Sequence, residues 1–190
     1  MPDLTREQIE EITACRMDPL RFFPYGKVKH PIRGILPFQL YNFQENVIKK
    51  MLEHRFNIVL KSRQMGLSTL LAAYAVWYAS FFPAKQILIL ANKGKVASNF
   101  IKKCKLFHAT CPSWLVPKAT NDNMMSLDLE NKSEITSSST TVDSARSEAI
   151  SLLILDECLG AFSKIKIKNK ITGEIKEEQI GNLYKFNEYR

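Results

Sequence analysis

The chain has 190 residues, 45% hydrophobic and 24% charged, which is enough for a sizeable core and ordinary for a globular protein. A formal net charge of +8 and a pI near 9.3 favour a polyanionic partner, nucleic acid or nucleotide phosphate, although solubility alone accounts for them equally well. Four scattered cysteines with no C-x-x-C pair argue against a zinc site or a disulfide framework; the polar N-terminus does not read as a signal peptide, and the longest apolar stretch, Leu70 to Phe82, is too short to span a bilayer.

In chain order, Asp3 to Ile12 carries a capping-box pattern with apolar residues at helical spacing, which predicts an amphipathic helix over 4–14. Residues 16–37 hold four prolines and the aromatics Phe22, Phe23 and Tyr25, an irregular arm expected to pack on the core. Leu40 to Leu52 reads as a helix with Phe43, Val47, Ile48, Met51 and Leu52 on its apolar side. Phe56 to Lys61 is expected to be a short buried strand, 62–68 a turn, and Thr69 to Ser80 an apolar helix. Gln86 to Ala91 is a second buried strand, and Val96 to Phe107 a helix with a lysine face. Residues 109–133 read as loop, Glu134 to Ser138 as a short strand and 139–149 as a polar loop. Leu152-Leu-Ile-Leu-Asp156-Glu157 then runs four apolar residues into two carboxylates, as a strand buried on both faces does. This alternation argues for a parallel sheet covered by helices.

Two of these stretches carry chemistry. At the end of a buried strand in an open α/β sheet, Asp156 and Glu157 emerge where such sheets place ligands. There Asp156 suits a Mg²⁺ shell and Glu157 suits activation of a water, the Walker B roles. Upstream, Lys61-Ser62-Arg63-Gln64-Met65-Gly66-Leu67-Ser68-Thr69 is a turn entering a helix, whose N–H groups and dipole favour an anion. Gly66 permits close backbone approach, and Ser68 or Thr69 could ligate Mg²⁺. The G-x-x-x-x-G-K-[ST] pattern is not met: Lys stands at position 61 and Leu67 occupies the usual lysine position. The available cations for β and γ phosphates are Lys61 and Arg63, and by this motif alone an ordinary β–α turn with two exposed cations is the better reading.

Residues 40–157 resemble the N-terminal portion of the ATPase of the large terminase subunit of tailed phages, the motor that pumps DNA into procapsids. The pieces that match, in order, are Tyr41-Asn-Phe43-Gln44 (an adenine-contacting Q motif), Ser62 to Thr69 (a deviant Walker A), Ile87 to Gly94, Asp143-Ser-Ala-Arg146, and Leu152 to Glu157 followed by Cys158. The resemblance implies an incomplete P-loop NTPase (RecA/ASCE-like) parallel sheet with helices on both faces, acting with ATP and Mg²⁺. Gln44 would read adenine with Phe43 near the base, and Gly66, Ser68 and Thr69 would cradle phosphate and Mg²⁺. Lys61 or Arg63 would neutralise the γ-phosphate. Asp156 would support the metal, Glu157 would activate water, and Arg146 would act as a finger toward a neighbouring subunit's nucleotide. Implied partners of the mature motor are double-stranded DNA, the portal and the small terminase subunit, in a host cytoplasm and without a membrane.

After Glu157 the terminase pattern stops. Cys158 to Arg190 resembles the first block of an intein: a Cys, a turn, the alternating strand Lys164-Ile-Lys-Ile-Lys168, a Gly173 turn, and a return strand from Ile175, with a short helix expected over 181–189. That implies a small β (Hint-type) fragment, from either a split intein or a truncated chain, with Cys158 as the splicing nucleophile toward the Glu157 carbonyl. The expected organisation is therefore an N-terminal helix and Pro-rich arm (1–39), an ATPase core portion (40–157) and an N-intein fragment (158–190). The implied partner is a C-terminal split-intein/terminase fragment, and the chain alone is expected to be marginally folded and a poor ATPase. Two other readings compete: a free-standing P-loop or helicase-like ATPase with a C-terminal hairpin, and a non-catalytic basic DNA-binding domain.

Overall fold

Thr5 opens the first helix. Its hydroxyl accepts the Gln8 N–H at 3.2 Å, and the Gln8 side chain accepts the Thr5 N–H at 2.9 Å, satisfying two donors that a helix start leaves over. In this computed structural model, which describes residues 4–62, 64–121, 123–139, 149–156, 164–168 and 172–179, that helix is α1, Arg6–Met17. Asp18 caps a short second helix, α2, Pro19–Phe22, and a 3₁₀ turn, Phe23–Tyr25, follows. Arg21 and Tyr25 both donate to Glu11, and these bonds hold its carboxyl at about 2, so α1 is tied back to the start of the arm.

The Pro-rich arm is more regular than its composition suggests. It contains an antiparallel hairpin, β1, Lys27–His30, with β2, Gly34–Pro37, paired from Lys27↔Pro37 to His30↔Gly34. The prolines are tolerated because Pro31 sits in the turn and Pro37 ends an edge strand of a two-stranded ladder. Phe22 and Phe23 are fully buried and, with Phe38, pack their rings around Phe107 at centroid distances of 5.7, 6.4 and 5.9 Å. The arm is thus part of the core, as its aromatics suggested.

Three longer helices follow the arm: α3, Asn42–Glu53; α4, Leu67–Phe81; and α5, Gly94–Thr110. Helix α4 is apolar on nearly every side and is buried almost throughout, the pattern of a central helix. Its Trp77 indole N–H donates to the Cys15 carbonyl of α1 at 2.8 Å. Helix α5 buries Phe100, Ile101, Cys104 and Phe107 at helical spacing and leaves Lys95, Lys102 and Lys103 outside.

The sheet is mixed rather than wholly parallel. Its strands are β3, Gln86–Ala91; β4, Ala119–Asn121; β5, Ser126–Leu129; β6, Glu134–Ser139; and β7, Leu152–Asp156, in the order β4-β5-β6-β3-β7. β3 lies parallel to both β6 and β7, whereas β5 and β4 add antiparallel. Register puts Ser137, Ile89, Ile154 and then Asp156 on one face. Ser137 donates to the Ala97 carbonyl of α5 and Ser68 of α4 reaches Asp156, so α4 and α5 share that face. Leu153 and Leu155, on the opposite face, are each 47% exposed, so among the described residues β7 is buried on one face where burial on both was expected.

Two further expectations are corrected. Residues 109–133 are not all loop: β4 and β5 lie there, with Leu127 and Leu129 buried. Phe56 to Lys61 is not a strand. Its residues join no ladder, and Phe56, Ile58 and Leu60 are 83, 60 and 52% exposed. An apolar run becomes a strand only where a neighbour pairs with its backbone and a layer covers its side chains, and among the described residues no strand pairs with this one.

The chain divides into two compact units, Met1–Asp156 and Glu157–Arg190. In the second, β8, Lys164–Lys168, pairs antiparallel with β9, Ile175–Gln179, through a turn where Gly173 takes φ +76°. Lys164 approaches Glu177 across the strands at 4.0 Å, an exposed pair of small energetic weight. Residues 181–189, expected to be helical, lie outside the described residues. Among the described residues no helix is long and apolar enough to cross a membrane.

Gly26 shows how tightly the arm is fitted. A Cβ there would lie 2.3 to 2.6 Å from three ring carbons of Phe107, a ring already fixed by three other phenylalanines. Gly26→Ala should therefore destabilise the chain by about 1–3 kcal/mol, the cost of overpacking a core. Urea denaturation measures it, and an unchanged midpoint would refute this packing.

Candidate functional site

The turn before α4 is built from two left-handed residues. Gln64 has φ +64° and Gly66 φ +70°, so the chain reverses sharply into the helix. Thr69 and Leu70 return their N–H groups to the Gly66 carbonyl, while no side chain caps this helix start among the described residues. The earliest N–H groups of α4 and the positive end of its dipole therefore face the turn, an arrangement suited to an anion.

Asp156 ends β7 and is 5% exposed. The Ser68 hydroxyl donates to its Oδ1 at 3.2 Å across 88 positions of sequence. This bond brings the turn and the acidic strand together, and it selects Ser68 over Thr69 as the hydroxyl set against the carboxylate. A hydroxyl and a carboxylate oxygen are hard donors, the kind Mg²⁺ accepts in small number while water and phosphate oxygens complete its shell. Among the described residues there is no group of three or more His, Cys, Asp or Glu that could hold a metal unaided. The pair therefore fits a cation that arrives with oxygens of its own.

Gln44 holds the turn from the other side. Its Nε2 donates to the Met65 carbonyl at 3.2 Å, and its Oε1 accepts the Tyr41 N–H at 3.1 Å. The same Nε2 would lie 2.9 Å from a Cβ on Gly66, so the glycine is needed for space as well as for its positive φ. With Gln44 only 2% exposed and both amide ends engaged, the residue braces the turn; reading a base would require it to exchange one of these bonds. Beside it, the Tyr41 and Phe43 rings stack at 5.8 Å and 7° and both remain exposed, offering a flat apolar surface. The bracing role of Gln44 was not evident in the sequence, because the contact spans 21 residues and ends on a backbone atom.

The remaining predicted residues divide clearly. Lys61, Ser62, Gln64 and Met65 are exposed along the turn, and Thr69 is half-buried in the first turn of the helix. Leu67 is 6% exposed and belongs to the core, so its side chain points away from any ligand over the helix start. Arg63, Arg146, Glu157 and Cys158 lie outside the described residues. Cys15, Cys104 and Cys111 are buried, and burial pushes each thiol up to about 12, which leaves them poor nucleophiles.

No family model matches the chain. Its motifs and their geometry are what any functional reading rests on.

The burial of Leu67 generates a test. Leu67→Lys restores the consensus lysine, though not the first glycine of the pattern, and forces an ammonium group into the core. We expect it to destabilise the fold by about 2–5 kcal/mol and to weaken, not strengthen, binding of a fluorescent ATP analogue. Tighter nucleotide binding with unchanged stability would show that position 67 faces the ligand.

Proposed function

We propose that residues 40–157 are the N-terminal portion of a viral DNA-packaging terminase ATPase, and that residues 158–190 are an N-intein fragment that joins this portion to its remainder by trans-splicing at Glu157-Cys158. The observation that carries the first half is the Ser68–Asp156 hydrogen bond. It supports a phosphate turn and a metal-supporting carboxylate working at one place, although the turn departs from the usual consensus.

Mg²⁺-ATP, when bound, brings the transferable phosphoryl group and the charge that must be compensated. The chain's own residues then have separable tasks. The N–H groups at the start of α4, with Gly66, would hold phosphate oxygens. Ser68 and Asp156 would hold the metal. Lys61 or Arg63 would offset the phosphate charge in place of the absent consensus lysine. Glu157 would orient a water and take its proton, and Arg146 would serve a neighbouring subunit's nucleotide. The stacked Tyr41 and Phe43 rings would take the base, with Gln44 coupling base occupancy to the turn through Met65.

For the second half, the Cys158 thiolate would attack the Glu157 carbonyl. The C–N bond breaks as the C–S bond forms, giving a thioester and releasing the Cys158 amine, which takes up a proton. The partner chain supplies the activating histidine, the acceptor Cys, Ser or Thr, and the Asn whose cyclisation releases the intein. The three described cysteines are too deeply buried to compete.

The test is co-expression with the reading frame that resumes the ATPase sequence after a C-terminal intein piece. Intact mass should show residues 1–157 joined to the partner's ATPase segment, with the tail lost, and Cys158→Ala should abolish that product. In the joined protein, Asp156→Asn should raise the Mg²⁺ required for ATP turnover about 10–100-fold. Full ATPase turnover by the 190-residue chain alone would refute the split.

A further inference from the structure

Among the described residues, β7 pairs with β3 and stands at the edge of the sheet. Exposed edges are ordinarily blunted by lysine, proline or a bulge. Leu152-Leu-Ile-Leu155 has none of these, and Leu153 and Leu155 present half-exposed side chains. A second apolar stretch is in the same condition. Ile58, Val59 and Leu60 belong to no strand, make no backbone–backbone hydrogen bond to another described residue, and are 60, 42 and 52% exposed. Between this stretch and Val47 and Met51 of α3 lies an open groove of about 320 Å³.

The two stretches are coupled. Residues 57–60 lead through the turn to Ser68, and Ser68 bonds to the last residue of β7, so both stretches lead to the same end of the sheet. Each has backbone groups that a strand ladder would satisfy. Among the described residues no strand fills that place: the sheet ends at β7, and β8 pairs with β9.

We propose that the outer edge of β7 is the docking site for one extended, apolar strand of a different polypeptide, lying parallel to β7 and taking the 57–60 stretch as its second neighbour. Parallel docking continues the order already set by β6, β3 and β7, and it serves both open stretches at once. A second copy is the poorer occupant. A two-fold pairing of β7 with itself is antiparallel, leaves each 57–60 stretch unserved, and brings together two chains of net charge +8. The same charge favours an acidic partner. Naming that partner as the chain carrying the rest of the ATPase rests on the proposed split; the docking edge itself does not.

The test uses the full chain with Cys158→Ala, so that association is read without ligation, mixed with the polypeptide from the resuming reading frame. We expect a one-to-one complex in which amide exchange slows at 58–60 and at 152–155. Leu153→Lys combined with Leu155→Lys should weaken the complex at least about tenfold. Both positions are half-exposed, so amide protection of α4 and α5 in the isolated variant should be unchanged, separating lost docking from lost folding. Absence of a complex overturns the proposal, as does a complex whose protection is confined to 164–179. Concentration-dependent homodimerisation protecting 152–155 overturns the choice of occupant. If the edge is protected but unmodified Cys158 yields no ligated product, docking stands and the splicing reading falls.

Discussion

The hydrogen bond from Ser68 to Asp156 is the constraint on which the rest of the site depends. One partner sits in the first turn of a buried helix and the other at the last position of an edge strand buried on one face. Neither element can shift along its axis without breaking the bond or unpacking Leu67, Leu70 and Ile154 from the same core. A hydrogen bond to a buried carboxylate contributes about 1.5–3 kcal/mol, and leaving that carboxylate poorly satisfied costs more. The turn is therefore fixed at its helical end by packing and by charge together. At its middle it is fixed by Gln44, which holds the Met65 carbonyl from α3. Among the described residues its upstream end, 57–60, makes no backbone–backbone hydrogen bond of this kind.

What the sequence revealed follows from how local each signal is. The capping pair at Thr5 and Gln8, the periodicity of α5 and the apolar β3 and β7 are set within a few residues, and they were legible. The hairpin β1–β2 was hidden because prolines usually signal irregular chain, and only the ladder shows that they fall at harmless places. β5 was hidden because Ser126-Leu-Asp-Leu129 is a short alternation inside a stretch rich in Asn and Pro. Phe56 to Lys61 failed for the opposite reason. Its composition suits a strand, but strand formation is a property of two chains, and composition reports only one.

The site was legible in its parts but not in its assignments. The order of turn, helix and acidic strand pointed to Ser68 and Asp156, and the structure brings these two side chains within hydrogen-bond distance. Leu67 is different. As a departure from consensus it reads as a lost cation, yet its burial shows that the position belongs to the core, and that a lysine there would have to leave it. On the proposed reading, positive charge over the turn would come from residues before the glycine, where the backbone is exposed and long side chains can reach back. Lys61 sits there, at the junction with the poorly anchored stretch.

That junction connects folding with chemistry. A sheet is most readily divided between two strands, since the division severs only ladder bonds and leaves two edges that specify one another. The cost is an apolar edge open to wrong partners, which a net charge of +8 helps to keep from self-association. An incoming strand of the kind proposed would pair with residues 57–60 and order the stretch that leads into the turn. Ordering on association reduces the apparent affinity for the partner but makes activity conditional on its arrival. On the proposed reading, a site already held by Ser68 and Gln44 would gain order upstream only in the joined protein, with no separate inhibitory element required.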